Sequence, residues 1–470
     1  MQEDVTTLAL RQLSPEMQSV TNTLATTFAE HDCQLFLVGG SVRDLLLGNI
    51  AADLDFTTDA RPQQTLEIGE AAGANSTYTV GERFGTVGLV FDDLVIEITT
   101  FRSETYPTSD RRPVVEFGDS IDGDLSRRDF TINAIAVDAI TGALVDPFNG
   151  RQHLEEQRIE AVGDAPARFA EDPLRILRAA RFAAQLGFEV EPETRSAMEQ
   201  LAYRLPDIST ERIAAELNRL LTGIAPSNGM QLMRETGVLQ FAVPELLDIA
   251  HDEIQGRHKD IWDHTMQVLD KTPPRLAVRW AALLHDAGKP RTRSVDSAGE
   301  VHFFGHERVG ADMARRALKR LHQERNLIKR VSRLVDLHLR PAGYDDTWTD
   351  SAVRRLMVEV GDELDDLLDL AAADVTSARE HRQREAARRN QGLREHIERI
   401  REESALEQLQ SPIDGNELME AFDRKPGRWI ATVKDQLREM VIDGELRHDD
   451  KERAFEIAKG LVEEMDQTEV

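Results

Sequence analysis

A chain of 470 residues is longer than one core usually serves and is expected to divide into about three or four domains. Its 40% apolar and 30% charged residues are ordinary globular composition, no run approaches the roughly 20 apolar residues of a membrane helix, and the start MQEDVTTLALRQL lacks the basic and apolar order of a secretory signal. The lone Cys33 excludes an intrachain disulfide and suits a reducing cytoplasm, while the net charge of −28 argues against a nucleic-acid partner unless a groove is locally basic.

From Leu35 to Asp146, short β-rich runs (LFLVGG, TVGLVF, LVIEITTF, INAIAVDAI) alternate with Gly, Asp and Pro, which predicts an α/β domain of strands and tight turns. The first run ends at Gly39 and Gly40, whose backbone is open to close approach by a triphosphate. A short helix is expected to follow, with Arg43 as a charged donor. Next comes Asp53-Leu54-Asp55. Residues two apart on a strand face the same side, so both carboxylates should meet at one point, where like charges call for cations. Mg²⁺ binds carboxylate oxygens together with substrate phosphates, and two ions about 4 Å apart clamp the attacking and leaving oxygens of an in-line displacement. Glu97, in LVIEITTFR, is the candidate third carboxylate.

The run GG-x-VRD-x-LLG followed by D-x-D closely resembles the first motif of the class II tRNA nucleotidyltransferase and bacterial poly(A) polymerase family, within the polymerase-β-like superfamily. The resemblance implies that Asp53 and Asp55 hold two catalytic Mg²⁺ ions. GERFGTV, residues 81–87, resembles the family's flexible loop, and favours full CCA addition over a CC-only or A-only activity. DLSRRDFTINAIAVD, from Asp124 to Asp138, resembles its second motif. That match implies Arg128 for phosphate, and Asp129 and Asn133 for ribose hydroxyls. DPFNGRQHLE, from Asp146, resembles the hinge between head and neck, although Asp146 reads equally well as a turn residue.

After Pro147 long amphipathic runs predict an almost wholly helical remainder. In EDPLRILRAARFAAQLGF, Pro173 suits the first position of a helix, and Asp172 reads either as its cap or as a base reader. Asp172 and Arg175 are three apart and Glu171 and Arg175 four apart, so they neighbour one another on one helix face. A carboxylate that accepts an exocyclic amino hydrogen, beside a guanidinium that donates to a ring acceptor, matches the edge of C and of A. The family's E-D-x-x-R motif recognises the incoming base, which the resemblance carries to Asp172 and Arg175, with Glu171 in support. Arg178, one turn on, joins the nucleotide-binding set.

Beyond His258 the segments HKDIWDHTMQVL, RWAALLHDAGKP, FFGHERVGADMARRAL and VSRLVDLHLRP resemble an HD domain. His285 and Asp286, with His264, His306 and His338, form a candidate pocket for a divalent transition metal able to activate water for phosphoester hydrolysis. Arg315, Arg316, Lys319, Arg320, Arg325, Lys329, Arg330 and Arg333 make a locally basic stretch, a candidate surface for RNA; paired, solvated helix faces are the bland alternative. Residues 371–410 read as an exposed helix or hinge, and the last helical piece resembles the family's tail.

The expected architecture is therefore an α/β nucleotidyltransferase head with a polymerase-β-like mixed sheet, followed by all-α neck, HD and tail domains. Their expected spans are residues 1–148, 149–245, 246–370 and 371–470. The implied activity is template-independent addition of CCA to tRNA from CTP and ATP in the cytoplasm, with pyrophosphate released. The alternatives are a poly(A) polymerase, or an HD phosphohydrolase carrying an inactive RNA-binding head.

Overall fold

The computed structural model describes residues 13–50, 53–80, 85–105, 114–118, 120–251, 260–345, 347–375, 380–403 and 410–468. Residues 81–84, the first part of the GERFGTV loop, lie outside that set. The chain forms two compact units, residues 1–244 and 245–470.

In the first unit α1 (Pro15–Glu30) starts from Ser14, whose hydroxyl accepts from the Met17 amide at 3.2 Å, with Pro15 in its first turn. It leads into β1 (Leu35–Val38), whose four apolar residues are all buried, as befits a strand covered on both faces. Then come α2 (Gly40–Leu46), β2 (Leu54–Thr58), α3 (Pro62–Ala71), β3 (Ser76–Val80), β4 (Thr86–Phe91), β5 (Leu94–Thr100), the separate antiparallel pair β6 (Arg102–Thr105) and β7 (Val114–Phe117), and α4 (Ile121–Ser126). β8 (Ala136–Asp138) and β9 (Leu144–Val145) complete a seven-stranded sheet of order β3-β4-β5-β2-β1-β8-β9. β2 and β5 run parallel and the other neighbours antiparallel, so the sheet is mixed, as expected.

The INAIAVDAI run is only partly strand. Thr131–Asn133 form a 3₁₀ turn, because Asn133 and Thr131 have side-chain partners in Asp129 and His153. Asp146 takes the turn role at the following junction: its carboxylate accepts from the Gly150 and Arg151 amides at 2.7 and 2.9 Å, fixing the start of α5 (Gly150–Glu155). α6 (Ala165–Glu171), α7 (Leu174–Leu186), α8 (Pro192–Leu201), α9 (Thr210–Leu221) and α10 (Pro226–Glu235) follow. α7 is the centre of this group. It buries Leu174, Ile176, Leu177, Ala180, Phe182 and Ala184, packs on α9 and α10, and ends at Gly187 in the left-handed region (φ +71°).

In the second unit α11 (Ile261–Lys271) and α12 (Leu276–Leu284) bury Trp262 and Trp280 completely. α13 (His306–Arg320) and α14 (Arg325–Leu337) pack side by side, and α15 (Asp350–Val360) and α16 (Leu364–Ala373) follow. The charged segment contains α17 (Glu380–Glu403), a helix with a narrow buried stripe of Leu393, Ile397 and Ile400. α18 (Gly415–Phe422), α19 (Arg428–Ile442) and α20 (Lys451–Thr468) enclose their own core around Leu418, Leu437 and Ala458. Among the described residues, no helix is long and apolar enough to cross a membrane.

Candidate functional site

β2 turns Leu54 and Phe56 into the core at 2% and 1% exposure, so strand alternation puts Asp55 on the opposite face, and Asp53, in the bend just before the strand, is near enough for its charge to act on Asp55. β5 lies parallel to β2 with Glu97 directly opposite Asp55, and Ile96 and Ile98 buried on either side of it. Three carboxylates therefore share one patch. Burial, then the charges of Asp53 and Glu97, push Asp55 up to about 6, against the opposing pull of Arg128. Such crowding is relieved by a cation, and an all-oxygen donor set fits Mg²⁺. Ser41 ties the preceding turn to this strand, its hydroxyl accepting from the Asp55 amide at 3.1 Å.

Gly39 has φ +70°, a conformation that demands glycine, and a Cβ there would lie 2.8 Å from the Arg128 guanidinium and push it aside. Arg128 is held over this turn by Asp124, a buried carboxylate 3.2 Å away that also takes Arg127 at 3.3 Å. Gly40 opens the short α2, from which Arg43 donates to Asn133 Oδ1 at 2.9 Å and pairs with Asp44. Two guanidiniums, Arg43 and Arg128, thus flank the glycine turn beside the carboxylates.

Asp129, expected at a ribose, is buried and its oxygens accept from Arg178 Nε at 2.7 Å, the Phe130 amide at 2.8 Å and Asn133 Nδ2 at 3.1 Å. Burial alone would raise its pKa, but Arg178, Asn133 and the Phe130 amide hold it below the usual carboxylate range. Arg178 is correspondingly raised: burial opposes its charge, and Asp129 and Glu216 more than offset this. Glu216 on α9 also meets Arg181 at 2.7 Å. Burial and the neighbouring Arg178 lower Arg181 to about 10. Arg43, Arg178 and Arg181 all stand over the Phe182 ring, at 5.3, 5.6 and 4.0 Å from its centroid.

Asp172 and Arg175, expected side by side on one helix face, lie in the break between α6 and α7 and in α7 respectively, and take separate partners. Asp172 accepts from the Leu174 amide at 3.1 Å, which is the capping role, and from Arg212 of α9 at 2.9 Å. Arg175 is buried, donating to the Arg127 carbonyl at 2.7 Å and to Glu171 at 3.3 Å. The four-residue spacing of Glu171 and Arg175 does give a contact, whereas Asp172 takes its partner from another helix. Arg212 and Glu216 escaped the sequence reading because, one turn apart on α9, they look like any solvated pair; Asp124 stood inside a quoted motif without a role.

In the second unit the five HD residues come together. His264 Nε2 lies 3.3 Å from both His285 Nε2 and Asp286 Oδ2, and Asp286 Oδ1 lies 3.5 Å from His306 Nε2. The ligand atoms of His264, His285 and Asp286, and those of Asp286, His306 and His338, lie within 4.8 Å of one another. The Nδ1 atoms of His285, His306 and His338 each sit 2.7 Å from a backbone carbonyl, of Ala282, Phe303 and Val335, so each ring is fixed with Nε2 left for a ligand. His306 Nε2 is buried with no hydrogen-bond partner among the described residues. Burial would lower His285, but Asp286 and Asp374 push it up to about 10, while burial and His285 hold His338 down to about 4. The two carboxylates call for positive charge, and the His-rich donor set fits a divalent transition metal. Asp374, 2.9 Å from His264, belongs to the cluster but was missed, because the predicted HD span stops at residue 370. Lys289 also reaches Asp286, at 2.6 Å.

Comparison with known proteins adds the following. A "Poly A polymerase head domain" family matches residues 35–160, a "Probable RNA and SrmB- binding site of polymerase A" family matches residues 187–249, and an "HD domain" family matches residues 259–379. The chain is 32% identical over 431 residues to a CCA-adding enzyme of Geobacillus sp. (strain WCH70), covering 92% of this chain and 94% of that protein. It is 34% identical over 440 residues to an A-adding tRNA nucleotidyltransferase of Deinococcus radiodurans, covering 89% and 94%. The crystal structure of the Bacillus stearothermophilus CCA-adding enzyme in complex with CTP superposes with a TM-score of 0.68 at 25% identity, over 97% of this chain and 99% of that one.

Proposed function

The chain belongs to the family of CCA-adding and A-adding tRNA nucleotidyltransferases with a poly(A) polymerase head, and from that premise we propose that it adds C, C and A to tRNA 3′ ends from CTP and ATP. The observation that carries the reading is the crowding of Asp53, Asp55 and Glu97 beside a glycine turn flanked by Arg43 and Arg128. Asp53 and Asp55, assisted by Glu97, would hold two Mg²⁺ ions, which would offset the negative charge of the triphosphate and make the attacking 3′ hydroxyl acidic enough to give up its proton. Arg43 and Arg128 take triphosphate oxygens, and Gly39 and Gly40 let the backbone come close to them. Asp129 acts by holding Arg178 and Asn133 in place, and Asn133 turns its remaining polar edge to the ribose. Asp172 and Arg175 read the amino-plus-acceptor edge that C and A share, with Asp172 directed by its Arg212 contact and a carboxylate lone pair still open to the base amino group. Pyrophosphate leaves as the new phosphodiester bond forms.

We divide the chain into head (1–148), neck (149–245), HD (246 to just past Asp374) and tail, working in the cytoplasm on free tRNA. The test is incubation of tRNA lacking CCA with each labelled nucleotide in turn. CTP alone should add two residues, ATP should then add one, and completed tRNA should not be extended. Incorporation only onto tRNA already ending in CC would identify an A-adding enzyme. A long adenylate tail on unstructured RNA from ATP alone would identify a poly(A) polymerase.

A further inference from the structure

The basic stretch between Arg315 and Arg333 is not one surface. Arg320 pairs with Glu245 at 2.8 Å and Arg330 with Asp366 at 2.7 Å. Arg316 lies outside the lining, and Arg315, Lys319, Arg325, Lys329 and Arg333, the last also 3.8 Å from Glu363, border a groove of about 670 Å³ between α13 and α14. Arg308, Arg315 and Lys319 line one wall, Arg325, Lys329 and Arg333 the other, and Ala311, Ile328 and Ser332 complete the lining. Two carboxylates also border it. Asp312 pairs with Arg315, and Asp336 stands at one end of the α14 row. Arg308, Lys319, Arg325 and Lys329 are exposed and have no ion pair among the described residues. The Ser332 side chain is 95% buried by its 5% exposure, and its hydroxyl has no hydrogen-bond partner in the described structure. Leaving a buried hydroxyl unmatched costs stability, so its presence in the lining of a cationic groove points to an acceptor that arrives from outside.

We propose that this groove is a track for the phosphodiester backbone of RNA, in which Ser332 donates to a phosphate oxygen and the two cation rows straddle successive phosphates. The inference rests on the tRNA reading above and names the surface that this unit contributes to it. Along α14 the cations recur every four residues, about 6 Å apart at the helical rise, a separation that suits consecutive phosphates of one strand. A compact anion would need its donors converging on one point, whereas six cations in two rows fit an extended polyanion. The same rows give an acidic chain the local positive potential that phosphate binding needs.

The test uses the full chain and two probes, tRNA lacking CCA and a short RNA hairpin of unrelated sequence, with binding followed against salt. Lys319→Gln/Arg325→Gln/Lys329→Gln should lower the log–log salt slope by roughly 2 to 3 for both probes, close to one per lost phosphate contact. The KM for tRNA should rise while kcat at saturating tRNA and the KM for CTP stay unchanged. The charge-conserving variant Lys319→Arg/Arg325→Lys/Lys329→Arg should restore the slope. Ser332→Ala should weaken RNA binding by roughly tenfold or more, the scale of one hydrogen bond to a charged group, with no loss of melting temperature. An unchanged slope in the triple Gln variant, unchanged RNA binding in Ser332→Ala, or protection of the groove by ATP or inorganic phosphate with no competition by RNA would overturn the proposal. A wild-type chain that shows these binding effects but adds no C or A would overturn the functional reading instead.

Discussion

Asp55 stands where its charge works against the fold. An acid whose pKa in the folded chain exceeds its ordinary value favours the fold while protonated and loses that contribution as pH rises through the folded value. With 3.8 as the ordinary value and about 6 in the fold, the metal-free head should lose stability between about pH 4 and pH 6, by at most about 3 kcal/mol and less after solvent screening. Mg²⁺ should reverse the loss, raising the melting temperature more near about pH 7.5 than near about pH 5. Asp55→Asn should melt higher than the parent without metal at the upper pH, yet lose nucleotide incorporation by about 10³-fold or more. Thermal melts with and without Mg²⁺ check both, and a variant that still gains the parent's Mg²⁺ stabilisation contradicts the assignment. Arg175 makes a different case. Its guanidinium is buried on the Arg127 carbonyl and Glu171, so Arg175→Ala should cost about 1–3 kcal/mol of stability. It should also erode discrimination against UTP and GTP by about 1–3 kcal/mol, the worth of one bidentate base contact. The two effects separate when incorporation is measured well below the variant's melting temperature; an unchanged nucleotide preference leaves Asp172 as a helix cap.

At the scale of elements, α9 sets the pose of α7. Arg212 and Glu216, four residues apart on α9, hold Asp172 at 2.9 Å and Arg181 at 2.7 Å, and Glu216 reaches Arg178 at 3.8 Å. Arg212 is half exposed, so Arg212→Ala should change stability by less than about 1 kcal/mol, as exposed pairs do. If Asp172 depends on Arg212 for its direction, the same change should lower kcat/KM for CTP and ATP by about tenfold, equivalent to about 1.4 kcal/mol. Steady-state kinetics beside a melting curve decide the matter, and a loss of stability as large as the loss of activity would make Arg212 merely structural. The contrast between α7 and the sheet shows what was legible in the residues alone. The patch of Asp53, Asp55 and Glu97 was readable because a strand has a two-residue period and β-rich flanks announce it. The HD histidines were readable as a motif. The partner of Asp172 was not, since spacing within one helix says nothing about a guanidinium arriving from another. Asp374 was hidden for the same reason: one acid past the end of α16, in a charged stretch, carries no local pattern, and only packing brings it to His264.

For the whole molecule, a net charge of −28 is compatible with an RNA partner only because charge is sorted locally: carboxylates gather in the two candidate metal centres, cations in the α13–α14 groove and around Phe182. The two centres lie in separate compact units with separate cores, so each should be removable alone. The HD cluster offers imidazole nitrogens with fixed tautomers, which selects a transition metal over Mg²⁺, and the head offers only carboxylate oxygens, which selects the reverse. Extensive chelation followed by Mg²⁺ alone should therefore restore nucleotide addition while leaving the HD cluster without its ion. His285→Ala and Asp286→Ala should each abolish bound transition metal, measured by elemental analysis of the purified chain, with nucleotide addition largely retained. Removing the ion leaves Asp286 and Asp374 compensated only by protonated imidazole and Lys289, so the chelated chain should melt lower in its second unit, in proportion to the metal affinity lost. Absence of bound metal near neutral pH in the wild-type chain, or equal loss of nucleotide addition in both HD variants, would reduce the second centre to a structural cluster.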